Sequence, residues 1–255
     1  MKNSIKIMLS AVALSSVIGT TAYANLNDAS NTSDIKINEK EITPKVVQEN
    51  KKLVSAANGI EFNAFKENDE TNEIESYLLL DPREITEDSI HNYRNSMPMF
   101  VKELRQQGIK NAPATITFNK PLDKEQFENV INNHKIDVES FTIRTVHNDG
   151  TEGTIVGVPN EKDLVPEDIL NEFLEQSNAE FVGLYAIEGN ISTDENLFNT
   201  LQNDENIYLA DISEEIIKRE VKNANKFKEL STRNSKHYLD VHIPDFYWFI
   251  ENTQK

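Results

Sequence analysis

The chain has 255 residues, carries 43 Asp and Glu against 26 Lys and Arg for a net charge of −17, and contains no cysteine. Disulfide staples, a thioether lipid anchor and a cysteine nucleophile are therefore excluded, and stability must come from the core alone. So acidic a surface argues against nucleic acid or an anionic membrane held through a basic patch, and suits a soluble protein outside the cell or one with cationic partners.

The amino end predicts a secretory signal peptide over residues 1–24. Lys2 and Lys6 precede the apolar stretch Ile7 to Ile18, and the small residues Ala22 and Ala24 flank Tyr23 in the pattern a signal peptidase accepts, which places cleavage between Ala24 and Asn25. A retained anchor is the alternative, but a spanning helix needs about 20 apolar residues. Here Ser10, Ser15, Ser16, Gly19, Thr20 and Thr21 interrupt and then end the run. No twin-arginine pair precedes it, so export of an unfolded chain is expected. Loss of Lys2 and Lys6 with the leader takes the charge from −17 to −19. With its Asn-, Lys- and Ile-rich wording the chain resembles exported proteins of low-GC Gram-positive bacteria.

Residues 25–55 read as a disordered polar linker, because Asn25 to Asp34 and the charged stretches at Glu39-Lys40-Glu41 and Glu49 to Lys52 offer little to bury. Residues 56–110 read as a hairpin plus a helix. Ile60, Phe62 and Ala64 alternate with polar neighbours, Ile74 to Leu80 is a second apolar run, and Lys66 to Thr71 forms the connecting loop. Thr86 is a good N-cap for a helix that repeats Ile90, Tyr93, Met97, Phe100, Val101 and Leu104, and Gly108 closes it. Pro98 lies inside that pattern and predicts a split or kink there, with Ser96 as a second cap.

Residues 111–212 predict an α+β domain. Ala114 to Phe118 alternates as a strand, Asp123 caps a helix facing inward with Phe127, Val130 and Ile131, and Val138 to Val146 follows as a strand. Asn148-Asp149-Gly150 supplies a turn into Thr154 to Val158. Pro166 opens a helix with Ile169, Leu170, Phe173 and Leu174, and Phe181 to Ile187 is the next strand. The order strand, helix, strand, strand, helix, strand is the ferredoxin-like split βαβ arrangement, an antiparallel sheet covered by helices. Ser192 and Glu195 then have capping-box spacing ahead of Leu197, Phe198 and Leu201, and Ile207 to Ala210 is a short final strand. The strand–helix–strand units at 114–138 and 181–207 look alike, as a weak internal repeat or as two βαβ turns sharing one grammar.

Phe181-Val182-Gly183-Leu184-Tyr185, then Gly189, Leu197, Leu201, Asp204-Glu205-Asn206-Ile207 and Asp211, within residues 180–211, resemble the second half of subtilase propeptides and the related inhibitor I9 domains. The resemblance implies a ferredoxin-like module that chaperones or inhibits a serine protease, and an extracellular protease as partner. No protease domain follows in this chain, and the segment from Thr154 to Leu174 is extra to that family's minimal pattern.

Residues 213–255 predict a helix and an aromatic segment packing on the domain. Ser213 caps a helix that buries Ile216, Ile217, Val221, Ala224, Phe227 and Leu230. The stretch from His237 to Ile250 holds two of the five histidines and the single tryptophan. His237, Asp240, His242 and Asp245 are the candidate metal ligands. On a strand Asp240 and His242 share a face while His237 points the other way, so only a partial site forms unless a loop re-aims His237. The aromatics are expected to close a sheet edge or helix face, with stacking on sugars or filling of a partner's pocket as the alternative.

The usual parts of catalysis are missing: there is no G-x-S-x-G elbow, H-E-x-x-H pair, P-loop or G-x-G-x-x-G turn. Nothing specifies a cofactor, and the many carboxylates do not single out a glycosidase pair. The sequence therefore reads as an exported binding protein, not an enzyme, with a protein partner at the cell envelope or an extracellular protease. A propeptide-like inhibitor or folding chaperone is the first alternative, and a hydrolase using surface carboxylates is the second.

Overall fold

The computed structural model describes residues 60–68, 73–80, 85–223 and 238–253. The expected leader with Ala24 and Asn25, the linker at 25–55, His237, and the inward positions Ala224, Phe227 and Leu230 lie outside these residues. The fold is α+β. Strands β1 (Ile60–Asn68) and β2 (Glu73–Leu80) form the expected antiparallel hairpin, and β8 (Tyr238–His242) adds to β2 in parallel.

Helix α1 (Glu87–Gln106) begins as predicted: Ser89 N donates to Thr86 Oγ1 at 3.1 Å, and Thr86 N donates back to Ser89 Oγ at 2.8 Å. Pro98 does not divide it. Ser96, the expected second cap, instead donates its hydroxyl to Tyr93 O at 2.6 Å, and the helix runs on to Gln106. Burial of Met97, Phe100, Val101 and Leu104 on both sides of the proline outweighs the one backbone hydrogen bond it removes.

The main sheet has five strands in the order β5-β4-β6-β3-β7, every neighbouring pair antiparallel. They are β3 (Asn111–Leu122), β4 (Asp137–His147), β5 (Glu152–Gly157), β6 (Ala179–Ser192) and β7 (Ile207–Asp211). Helix α2 (Lys124–His134), capped by Asp123, joins β3 to β4, which flank β6. Helix α4 (Glu195–Gln202) joins β6 to β7, which flank β3. Two βαβ units are thus interlocked, each with its middle place filled by a strand of the other. Helix α3 (Glu167–Ser177) returns from β5 to β6. The turn at Asn148 to Gly150 keeps β5 beside β4, and because β6 already holds the other side of β4, β5 takes the outer edge. It therefore stands outside the interlocked strands, and β7 completes them.

Around β3 both faces of the sheet are buried. Ile116 and Phe118 point to the helical face, where Phe118 meets Phe127 of α2 edge-on at 6.0 Å and Phe127 meets Phe141 of β4 at 6.2 Å. Thr115 and Thr117, between and beside them on β3, point the opposite way and are also buried. There the chain's last segment crosses the sheet: Thr115 Oγ1 donates to Ile243 O at 3.1 Å, and Phe246 N donates to Thr117 Oγ1 at 3.0 Å. Phe246 is fully buried, and α6 (Tyr247–Thr253) continues from it. Helix α5 (Glu214–Asn223) packs against β8, β3 and α1, burying Ile216, Ile217 and Val221 as predicted.

Helix α4 differs from expectation in two details. Asp194 caps it, accepting from Asn196 N and Leu197 N, while Ser192 Oγ accepts from Asp194 N. Leu197 is 58% exposed, while Phe198 and Leu201 are buried.

Truncating Phe246 to alanine is expected to cost about 3–5 kcal/mol in denaturant unfolding, as for a fully buried aromatic. Leu197→Ala should stay within about 0.5 kcal/mol. Equal costs at the two positions would contradict the covering role of the final segment.

Candidate functional site

Strand β8 places Asp240 and His242 on one face, with Nε2 of His242 3.5 Å from Oδ2 of Asp240 and both side chains exposed. Asp245 lies past the strand and serves another purpose: its Oδ1 accepts from Tyr247 N at 2.9 Å at the start of α6. Burial pushes its carboxyl above the usual carboxylate range, although the Arg144 guanidinium works in the opposite direction. Among the described residues no group of three or more His, Cys, Asp or Glu is placed to hold a metal ion.

Arg144, a residue not singled out by the sequence, organises the chain's end. Its guanidinium donates to Glu251 of α6 at 2.5 Å and to Thr154 of β5 at 3.2 Å, while its Nε is buried without a hydrogen-bond partner. It lies 5.3 Å from the Tyr185 ring centroid and 5.4 Å from that of Tyr247, and those rings stack at 4.5 Å. A register shift between Thr142 and Ile143 of β4 makes Tyr185 the extra residue of β6, and the bulge aims its ring toward α6 together with Ala186. The signal in the sequence is a lone arginine inside the apolar run from Phe141 to Val146. Its partner is more than a hundred residues away, at a distance that periodicity does not report.

A second cluster has the makings of chemistry but no access. The Tyr93 hydroxyl donates to Asp211 Oδ2 at 2.7 Å and lies 3.1 Å from Ser213 Oγ, and Ser213 N donates to Asp211 Oδ1 at 2.9 Å. All three residues are buried. Burial raises the Asp211 carboxyl above its ordinary value, against the Ser213 and Tyr93 hydrogen bonds, and burial together with the Asp211 charge raises the Tyr93 phenol. The network pins α1 to the end of β7 and the start of α5.

An open concave surface lies between α3 and the β4–β5 hairpin. Pro166, with φ −67°, starts α3 without a side-chain cap, and Asn178 ends it in the left-handed region at φ 50°. Of its apolar stripe, Ile169, Leu170 and Phe173 line the surface shared with the sheet, yet no residue of α3 is fully buried. What remains is an apolar cleft of about 60 Å³ bounded by Phe141, Ile143, Ile155, Val158, Leu170 and Phe173. Its floor requires Gly157, since a Cβ there would overlap the Phe141 ring. Val158, 42% exposed, stands at the rim. The volume is several times the ~10–15 Å³ one water needs, and its walls are almost wholly apolar.

The pH dependence of stability should report the Asp211 network. A carboxyl raised by folding contributes stability that is complete below its unfolded value of about 3.9 and is lost as pH rises through the folded value. Asp211→Asn removes that dependence. The stability of the wild type relative to this variant is therefore expected to fall as pH rises from the ordinary carboxylate range toward neutrality, in urea unfolding at a series of pH values. A constant difference would show that Asp211 has the same pKa folded and unfolded.

No family model, no curated protein and no solved structure matches the chain.

Proposed function

We propose that the chain is an exported, non-catalytic binding protein with a ferredoxin-like core, and that it takes a partner polypeptide in the cleft between α3 and the β4–β5 hairpin. The observation that carries this is the half-open apolar surface itself: Ile169, Leu170 and Phe173 of α3 line a cleft with β4 and β5, and none of them is fully buried. A soluble chain exposes such concave apolar surface where it binds something. Binding is favoured over catalysis because the clustered titratable groups are engaged with each other. Tyr93, Asp211 and Ser213 are enclosed, Arg144 is paired with Glu251, and His134 Nε2 lies 2.8 Å from Asp204 Oδ2. Secretion, with cleavage between Ala24 and Asn25, rests on the leader sequence, and the ferredoxin-like assignment on the interlocked βαβ units with β5 and α3 as an insertion. A photocrosslinking residue in place of Val158, in producing cells, is expected to yield a discrete adduct, while the same residue in place of the exposed Leu197 on α4 yields none. Absence of an adduct at both positions would sink the cleft as a partner site.

One observation favours a second reading, that of a protease inhibitor or folding chaperone. The 180–211 resemblance to subtilase propeptides covers β6, α4 and β7, which form one of the two interlocked units. On this reading the purified protein slows a subtilisin-type serine protease from the same extracellular milieu. No inhibition at micromolar protein would dispose of it.

A further inference from the structure

Apart from the α3 cleft, we infer that a second groove, between α1, β7 and α6, binds a neutral polyhydroxylated ligand, a sugar residue of an oligosaccharide. The groove holds about 560 Å³ and is open to solvent. That volume falls within the about 300–1,000 Å³ typical of small-molecule sites. Unlike the α3 cleft, its wall mixes polar and apolar surface in nearly equal parts. Helix α1 forms one side. Glu87, His91 and Arg94 recur at helical spacing along one face of it, with Asp88 at their flank, and all four line the groove. The helix is fixed against the sheet by the Tyr93 bond to Asp211 and by the Tyr93 ring, 6.1 Å from that of Phe246.

The opposite side is built around a bulge. Pairing of β3 with β7 slips between Thr117 and Phe118, which leaves Tyr208 of β7 without a partner on β3. An extra residue of this kind bends its strand and re-aims its side chain. Tyr208 lines the groove with Asn119 of β3 and Phe249 of α6. Burial and the Glu87 charge push its phenol up to about 12, with Arg94 acting in the opposite direction, so the hydroxyl keeps its proton at neutral pH and can donate. Two further polar groups are held in place from behind. Arg94 donates through Nη2 to Gln202 O, and Asn119 donates through Nδ2 to Glu205 O at 2.7 Å. These bonds leave the other N–H groups of the guanidinium and the Oδ1 of the amide for a ligand. The side chains of Glu87, Asp88 and His91 are exposed in the same wall.

Such a lining selects its ligand by exclusion. A cation meets the Arg94 guanidinium and an anion meets two carboxylates, while among the described residues no three acidic or histidine side chains converge on a metal ion. A wholly apolar ligand strips water from these groups and returns no hydrogen bond, which is costly. A sugar meets every requirement at once. Each hydroxyl can donate to a carboxylate or amide oxygen and accept from a guanidinium or phenol, and the C–H faces of the ring pack on aromatic side chains such as Tyr208 and Phe249.

The test uses the full-length mature protein, with calorimetry for affinity and the single tryptophan as a local reporter. Trp248 precedes Phe249, and their rings lie 6.0 Å apart. Short β-1,4-linked oligomers of glucose and of N-acetylglucosamine are the probes. At least one of them is expected to bind at up to millimolar concentration, to change Trp248 emission saturably, and to bind with little dependence on salt because it carries no charge. Tyr208→Phe keeps the ring and removes only the hydroxyl, and should weaken that binding about three- to tenfold. His91→Ala, at an exposed position, should weaken it as well, whereas Val158→Lys at the rim of the α3 cleft should not. Failure of both oligomers to bind, or binding of the zwitterion alanyl-alanine in their place, would overturn the inference. So would sugar binding that Tyr208→Phe and His91→Ala leave unchanged, or that Val158→Lys abolishes. Crosslinking at position 158 reads the α3 cleft separately, so loss of the sugar site leaves the partner site standing.

Discussion

Two threonine hydroxyls on β3 govern how the molecule closes. Thr115 donates to the carbonyl of Ile243, and Thr117 accepts from the amide of Phe246. An antiparallel sheet with helices on one face leaves the other face to water unless something covers it. In this chain the cover is its own final segment, held by those hydrogen bonds and by fully buried Phe246. Hydroxyls buried without partners would be costly. The segment's backbone satisfies them, and they in turn fix where it crosses. From that crossing follow the stacking of Tyr247 on Tyr185, the pairing of Glu251 with Arg144, and the capping of α6 by Asp245.

This arrangement gives the molecule two unlike halves. Around β3, β6 and β7 both faces of the sheet are covered, and the charged and hydroxyl groups there are engaged with one another. Asp211 with Tyr93 and Ser213 is the clearest case, a carboxylate held among neutral donors at the junction of α1, β7 and α5. Around β5 the build is looser. Helix α3 crosses the sheet without burying any residue fully, and the strand beneath it has a free edge among the described residues. A protein whose core rests on hydrophobic packing alone, with no disulfide, gains stability by closing such a region. That this one remains half-open is the physical basis of the proposal that a partner binds there.

Much of the architecture was legible along the chain. Thr86 and Asp123 begin helices where their local chemistry says they should, because a cap acts within three residues of itself, and Pro166 precedes α3 through its fixed φ alone. The turn at Asn148 to Gly150 and the apolar faces of α2 and α5 were readable for the same reason. Misreadings occurred where a local signal met a distant one. Pro98 reads as a break, yet packing on both of its sides carries α1 through. Leu197 fits an inward pattern, yet α4 packs through Phe198, Leu201 and Gln202 and leaves that leucine to solvent. Asp240 and His242 share a face, as strand periodicity requires, while Asp245, three residues on, caps a helix.

By itself the sequence determined the alternation of strands and helices, the dependence on an apolar core in the absence of cysteine, and the strong acidity, since each is set by composition or by neighbours a few residues apart. Only the tertiary structure decided the sheet order, the outer place of β5, the covering of the second face by residues 243–253, and the pairing of Arg144 with Glu251. These depend on which surfaces meet across separations that run from tens of residues to more than a hundred. Such meetings are settled by competition among all the apolar faces at once, with β6 taking the place beside β4 that β5 would otherwise share.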